Sequence, residues 1–256
     1  MRIEKFSTII GGRQDGAIYG GYFFSLNNQG LCTVYKMEEL EKGTDAEILD
    51  EFTVDKNDII SPHSNSVMFG NEFYEDGGLF PLLYTNIYNN YASCDEKLKG
   101  VTLVYRVEKA EKGFKTTLVQ IIEIGFTERL LWKSSDDDAR PYGNFVIDAE
   151  NGIYYAFNMR DGDNSTRYFS FDLPKVTDGE ICEKYNVKRV VLKESDVKEY
   201  FDCDYHRFIQ GATFNKGKIY SLEGFGGEKD PAAIRIIDVK TKKEECYKKF
   251  REFGTV

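Results

Sequence analysis

Residues 211–226 read GATFNKGKIYSLEGFG, a short apolar run, a turn built on Asn-Lys-Gly-Lys, and a second run carrying Ile219, Tyr220 and Leu222. Asn and Gly accept positive φ at little cost, so this stretch reads as a β-hairpin. Three other segments repeat it: GAIYGGYFFSLN from Gly16, NSVMFGNEFYEDGGLFPLLYTNI from Asn65, and NFVIDAENGIYYAFNM from Asn144. Each opens on a small or amide residue, passes a turn, and enters a strand rich in Tyr, Phe and Leu. Self-similarity of this kind has to be settled before local structure is argued, because it decides the architecture.

Working outward, each hairpin is followed by a third strand: GLCTVYKMEE (30–39), GVTLVYRVEK (100–109), TRYFSFDLPK (166–175) and AAIRIIDVKT (232–241). Their alternation predicts one buried face, with Val34, Val104, Phe169 and Ile236 inward. A fourth, more charged strand comes next: AEILDEFTV (46–54), TTLVQIIEI (116–124), VKRVVLKES (187–195) and EECYKKFREF (244–253). Charge on an outermost strand discourages pairing between molecules. Helix is expected to be scarce, with SDVKEYF (195–201) forming one turn or ending an outer strand.

Four antiparallel strands, apolar within and charged without, are the sequence form of a propeller blade. Over nearly its whole length the chain resembles the β-propeller superfamily, in blade pattern alone. It carries no WD dipeptide, kelch double glycine or Asp-box. The expectation is an all-β chain forming one propeller domain over 1–256, with blades near 14–57, 62–126, 141–196 and 207–252. The anchors lie 49, 79 and 67 residues apart, against about 40–50 for a blade, so long loops are expected at 86–100, 127–143 and 176–187. Residues 3–10, IEKFSTII, compete with CYKKFREF for the last outer place; were both strands, a fifth, degenerate blade would follow.

The resemblance implies little about activity, since propellers host hydrolases, lyases, sugar binders and scaffolds. Composition excludes more. With 43 acidic against 34 basic residues the net charge is −9, which repels nucleic-acid phosphate. No stretch approaches the ~20 apolar residues of a membrane helix. Five widely spaced cysteines and no CxxC favour reduced thiols. Together with the absence of an apolar h-region in MRIEKFSTIIGGRQDG this suggests a cytoplasmic protein, the alternative being a secreted one read without its signal peptide.

In the propeller reading, the loops that lead into the innermost strands meet at one mouth of a central channel. These are GGRQDG (11–16), SPHSN (61–65), ARPYGN (139–144) and YHRFIQG (205–211). They bring Arg13, Gln14, Asp15, His63, Asn65, Arg140, Tyr142, Asn144, His206, Arg207 and Gln210 toward one place, including both histidines. Three arginines suit a carboxylate or phosphate, and amides with tyrosine suit sugar hydroxyls. The plainer reading is that these groups satisfy backbone atoms at the channel end.

A catalytic reading takes His63 and His206 as acid and base with Asp15, or lets the three, with an amide oxygen, hold a divalent metal; no HExxH, GxSxG, P-loop or Rossmann fingerprint supports one. No other cofactor is implied. The leading expectation is thus a module binding a small polar or anionic, sugar-like ligand. The alternatives are a hydrolase or lyase using the two histidines, and a scaffold that takes a protein partner through the 86–100 loop with Tyr88 and Tyr91. Asp161, Asp163, Ser165 and Asp172 fall at positions 1, 3, 5 and 12 of a calcium-loop count, but Thr166 stands where that loop needs glycine, so turn chemistry is the reading adopted. Asp136–Asp138 and the lone Trp132 fall in the long connection after the second blade.

Overall fold

The structure is a computed structural model that describes residues 9, 14–87, 100–126, 144–158, 165–204, 206, 209–224 and 231–250. Among these, four sheets stand as blades about one channel, a four-bladed β-propeller. The first blade is β1 (Asp15–Tyr19), β2 (Tyr22–Leu26), β3 (Leu31–Lys36) and β4 (Asp50–Thr53), paired in that order. The second is built on β5 (Val67–Phe69), β6 (Leu83–Ile87), β7 (Val101–Lys109) and β8 (Phe114–Ile124). The third starts with β9 (Asn144–Asp148), β10 (Ile153–Asn158) and β11 (Ser165–Asp172). The fourth is β15 (Ile209–Asn215), β16 (Lys218–Glu223), β17 (Ala232–Asp238) and β18 (Lys243–Phe250).

The hairpins form where the sequence places them. Gly20 and Gly21, with φ of 58° and 82°, make the two-residue turn between β1 and β2, in which Tyr19 faces Tyr22. Lys216 (φ 48°) and Gly217 (φ 75°) do the same between β15 and β16. Positive φ at both positions matches the right-handed twist of the flanking strands. An unexpected single turn of helix, α1 (Met37–Leu40), follows β3 and buries Leu40.

The third blade departs from expectation. VKRVVL does not close it; residues 187–192 form β13 (Val187–Leu192), which runs parallel to β8 with Lys188 opposite Gln120 and Leu192 opposite Ile124. With β12 (Glu180–Cys182), it widens the second blade to six strands. The chain then returns through a 3-10 turn at 194–196 to β14 (Glu199–Asp204), the true outer partner of β11. VKRVVL and EYFDCD both alternate and carry charge, so either suits an edge. The choice is made by the path of 173–178, held on the second blade by buried Gln120, whose Nε2 donates to Lys175 O at 2.6 Å, and by Glu72, which accepts from Val176 N at 2.8 Å. The 176–187 segment is therefore partly strand rather than a long loop.

Two large apolar clusters fill the spaces between blades, and a third, small one packs Leu40 of α1 against Tyr35 and Ala46 within the first blade. Between the first two blades, Phe24 meets Phe69, Phe80 and Phe114 edge-on at centroid distances of 5.5, 5.5 and 5.4 Å, the geometry that aromatic quadrupoles favour. Each such side chain contributes roughly 2–3 kcal/mol by burial. Val34, Val104 and Phe169 are buried as expected. Ile236 is not: Arg235 and Ile237 take the inward positions, and Ile236 lies on the opposite, half-exposed face. The calcium-loop count fails as well, because Ser165–Asp172 is one extended strand and about 23 Å separates its ends. Residues 3–8, Tyr88, Tyr91, Trp132, Asp136–Asp138, Asp161 and Asp163 lie outside the described residues. Among those described, no helix is long and apolar enough to cross a membrane.

Candidate functional site

The innermost strands β1, β5, β9 and β15 begin at a buried polar network. Ser64, Asn65, Ser66, Asn86 and Asn144 are all at most 3% exposed. Asn86 holds the network together: Oδ1 accepts from Ser66 N at 2.9 Å, Nδ2 donates to Asn144 Oδ1 at 3.3 Å, and its carbonyl accepts from His63 N at 3.1 Å. Asp15 Oδ2 accepts from Val67 N at 2.9 Å, tying the first blade to the second. Two buried atoms, Asn65 Oδ1 and Asn144 Nδ2, have no hydrogen-bond partner, an arrangement that native interiors rarely tolerate without a reason.

These contacts bring Asp15, Asn65 and Asn144 to one end of the channel, with Gln14 and Gln210 half-buried in the adjoining positions. His63 is there too, bridged to Ile87 at the end of β6; its burial lowers its pKa and favours the neutral ring. Arg13, Arg140, Tyr142 and Arg207 lie outside the described residues. Asn86 was not anticipated. Its only signal was a polar Thr-Asn pair ending the apolar run LLYTNI.

His206 goes elsewhere. Its Nε2 lies 2.8 Å from Glu244 Oε2 and its ring centroid is 4.2 Å from that of Tyr247, both on β18. That strand is the outermost of the fourth blade, three strand spacings or about 14 Å from β15. The expectation that both histidines face the channel mouth is corrected accordingly: His206 is drawn outward by the carboxylate it pairs with and the ring it stacks on. The acid–base pair and the metal shared by His63, His206 and Asp15 are not assembled. Among the described residues no group of three His, Cys, Asp or Glu side chains is placed to hold a metal.

The channel itself is a cavity of about 960 Å³ whose lining includes residues of all four innermost strands. Asp15 and Gly211 lie at its deep end and Glu150, Asn215 and Lys216, all exposed, at the other. It is therefore open toward the hairpin turns; at the other end Gln14, Asp15 and Gln210 are half-buried beside the network, and most of the lead-in loop residues lie outside the described ones. Its walls are mainly apolar, with Ile18, Tyr19, Phe69, Phe214 and Tyr220 among them. Burial pushes the Asp15 carboxyl up to about 8, outweighing the backbone donors of Gly16 and Val67 that favour its charged form. At neutral pH the Asp15 carboxyl is thus mostly protonated, able to donate and to accept.

Fold and site together define a propeller-type protein with a ligand-sized channel. No family model matches the chain, and no curated protein matches it. Solved structures that it resembles include Sqt1 of Saccharomyces cerevisiae (9% identity, TM-score 0.40, 91% of this chain and 46% of that one). Others are the hydrazine synthase of Kuenenia stuttgartiensis (9%, TM-score 0.40, 88% and 51%) and apo AztD of Citrobacter koseri (11%, TM-score 0.35, 95% and 48%). The chain spans about half the length of these structures. At such values the likeness carries no functional argument, which rests on the site.

Proposed function

We propose that this protein is a binding module that takes a small molecule into its central channel. The supporting observation is the cavity of about 960 Å³ bounded by all four innermost strands, with the half-buried Asp15 carboxyl at its deep end. That volume suits a small organic ligand, as does a mainly apolar lining with few polar groups to orient it. A Cβ at Gly211 would sit in van der Waals contact with Asp15, 3.6 Å from Cγ and Oδ1, so a branched side chain there would occupy the deep end.

The walls favour a ligand with an apolar body over a bare sugar. An anionic ligand is less well served, since Asp15, Asp148 and Glu150 line the cavity and Lys216 is the one base among the described lining residues. The hydrolase or lyase alternative loses its support with the outward placement of His206. A thermal-shift screen of small amines, alcohols, sugars and carboxylates, run on the protein and on Gly211→Val, tests the reading. At least one class is expected to raise the melting temperature, and the added side chain to abolish the rise. No rise with any class, or one that persists in Gly211→Val, overturns it.

A further inference from the structure

We propose that the group received at the deep end of the channel is an organic cation, an ammonium or similar nitrogen head carried on an apolar body. The inference rests on the channel reading and specifies its ligand.

The deep end presents acceptors. From the position a Cβ would occupy on Gly211, Asp15 Oδ1 is 3.6 Å away and the backbone carbonyl of Asn65 is 3.8 Å away. A head group seated against Gly211 therefore lies within reach of two oxygens from two different blades. Among the described residues no lysine or arginine pairs with Asp15; its carboxyl takes only the backbone N–H groups of Gly16 and Val67. A half-buried carboxyl that has donors but, among the described residues, no countercharge is a place where a cation gains, because solvent screens the pair less than at the surface. Aromatic walls suit the same ligand, since ring faces attract cations. Tyr19, Phe69, Phe214 and Tyr220 supply four rings to the lining.

Charge elsewhere in the channel agrees. Among the described residues, the titratable groups facing the cavity or its deep end from the packed elements are Tyr19 on β1, Asp148 and Glu150 at the end of β9, Lys216 after β15, Tyr220 on β16, and His63 in the loop before β5. None of them shifts Asp15, whose raised pKa comes from burial alone. A bound cation would stabilise the carboxylate, so binding near neutral pH displaces the Asp15 proton to solvent. Affinity for a permanently charged ligand should then rise as pH passes through the Asp15 pKa.

Isothermal titration with 3-phenylpropylamine, 3-phenylpropanol and 3-phenylpropionate, at pH 6.5 and 8.5, tests this; the amine stays protonated throughout. The expected result is binding of the amine at least tenfold tighter than of the alcohol or the carboxylate. Its affinity should gain on the order of tenfold from pH 6.5 to 8.5, with proton release seen as a dependence of heat on buffer ionisation enthalpy. Asp15→Asn, a neutral isostere that keeps the fold, should remove both the preference and the pH dependence. Equal or tighter binding of the alcohol or carboxylate, or amine binding unchanged in Asp15→Asn, overturns the cation assignment and leaves channel binding intact. Failure of all three compounds also overturns it, and the channel reading is then decided separately by the Gly211→Val screen.

Discussion

Arg235 on β17 donates from Nε to Oε2 of Glu244 on β18 at 2.9 Å, with the arginine side chain only 1% exposed. It lies where the third and fourth blades meet and also donates to the carbonyl of Asp204 on β14. Glu223, fully buried, faces it with Oε1 at 3.5 Å from Nη1. Burial pushes Glu223 up to about 7, while the nearby guanidinium draws it back toward the carboxylate. Removing the base strands the buried Glu223, while the part-exposed Glu244 keeps His206. Arg235→Met should lower stability by about 3–5 kcal/mol, and Arg235→Met/Glu223→Leu should recover much of it. Urea denaturation reads both; a loss below about 1 kcal/mol in the single variant would contradict this account.

His206 closes the same cluster from its solvent side, pairing with Glu244 at 2.8 Å. A half-exposed pair of this kind is worth about 1 kcal/mol or less. His206→Ala should therefore cost little stability and leave ligand affinity in the channel within twofold. A large affinity loss would place this histidine in the site after all.

Asp15 makes stability depend on pH in a calculable direction. Its folded pKa of about 8 lies above the ordinary value of 3.8, so the folded state holds its proton more tightly than the unfolded chain. The resulting stabilisation is complete below pH 3.8 and is lost as pH rises through 8. Asn cannot ionise, and Asp15→Asn should gain on the parent between pH 5 and pH 8.5. Melting temperatures of both proteins across that range supply the check, and a constant difference would refute it.

Gly16 is required by close approach rather than by its backbone angle. A Cβ there would lie 2.4 and 2.6 Å from ring atoms of Phe23 and 2.7 Å from the backbone oxygen of Phe24. The ring can move; the carbonyl, part of the β2 ladder, cannot. Gly16→Ala should cost about 1–3 kcal/mol, with Phe23→Leu restoring only part. Chemical denaturation of the two variants would measure this, and full rescue would show the carbonyl contact to be unimportant.

Gln120 ties the excursion of the third repeat to the second blade through Lys175 O at 2.6 Å. Gln120→Leu should free residues 173–178 at a cost of about 1–2 kcal/mol. Amides of β13 should then exchange faster while those of β14 keep their protection. Equal loss in both strands would mean that β13 and β14 open as one unit.

The blade order was readable because it is written locally. A strand, a turn with glycine at positive φ and a second strand lie within about fifteen residues, and Gly217 or the Gly20-Gly21 pair satisfies its turn without reference to the rest of the molecule. Asp15, Asn65 and Asn144 could be nominated for the channel end because each stands where an innermost strand begins. Ile236 was misassigned for a reason of parity. AAIRIID alternates in either register, and the partner across the interface made Arg235, with its carboxylates, the buried choice.

The sequence by itself determined an acidic, all-β chain of four repeated blades and the residues at which each blade starts, since period-two patterning and turn chemistry act between near neighbours. Only the tertiary structure decided which blade receives β13, which way His206 turns, and how Asn86 ties the channel end together. Those outcomes depend on single contacts between residues far apart in the chain, Gln120 with Lys175, His206 with Glu244 and Asn86 with Asn144. A polar side chain commits to such a partner only when folding removes water from both, and no local pattern records that.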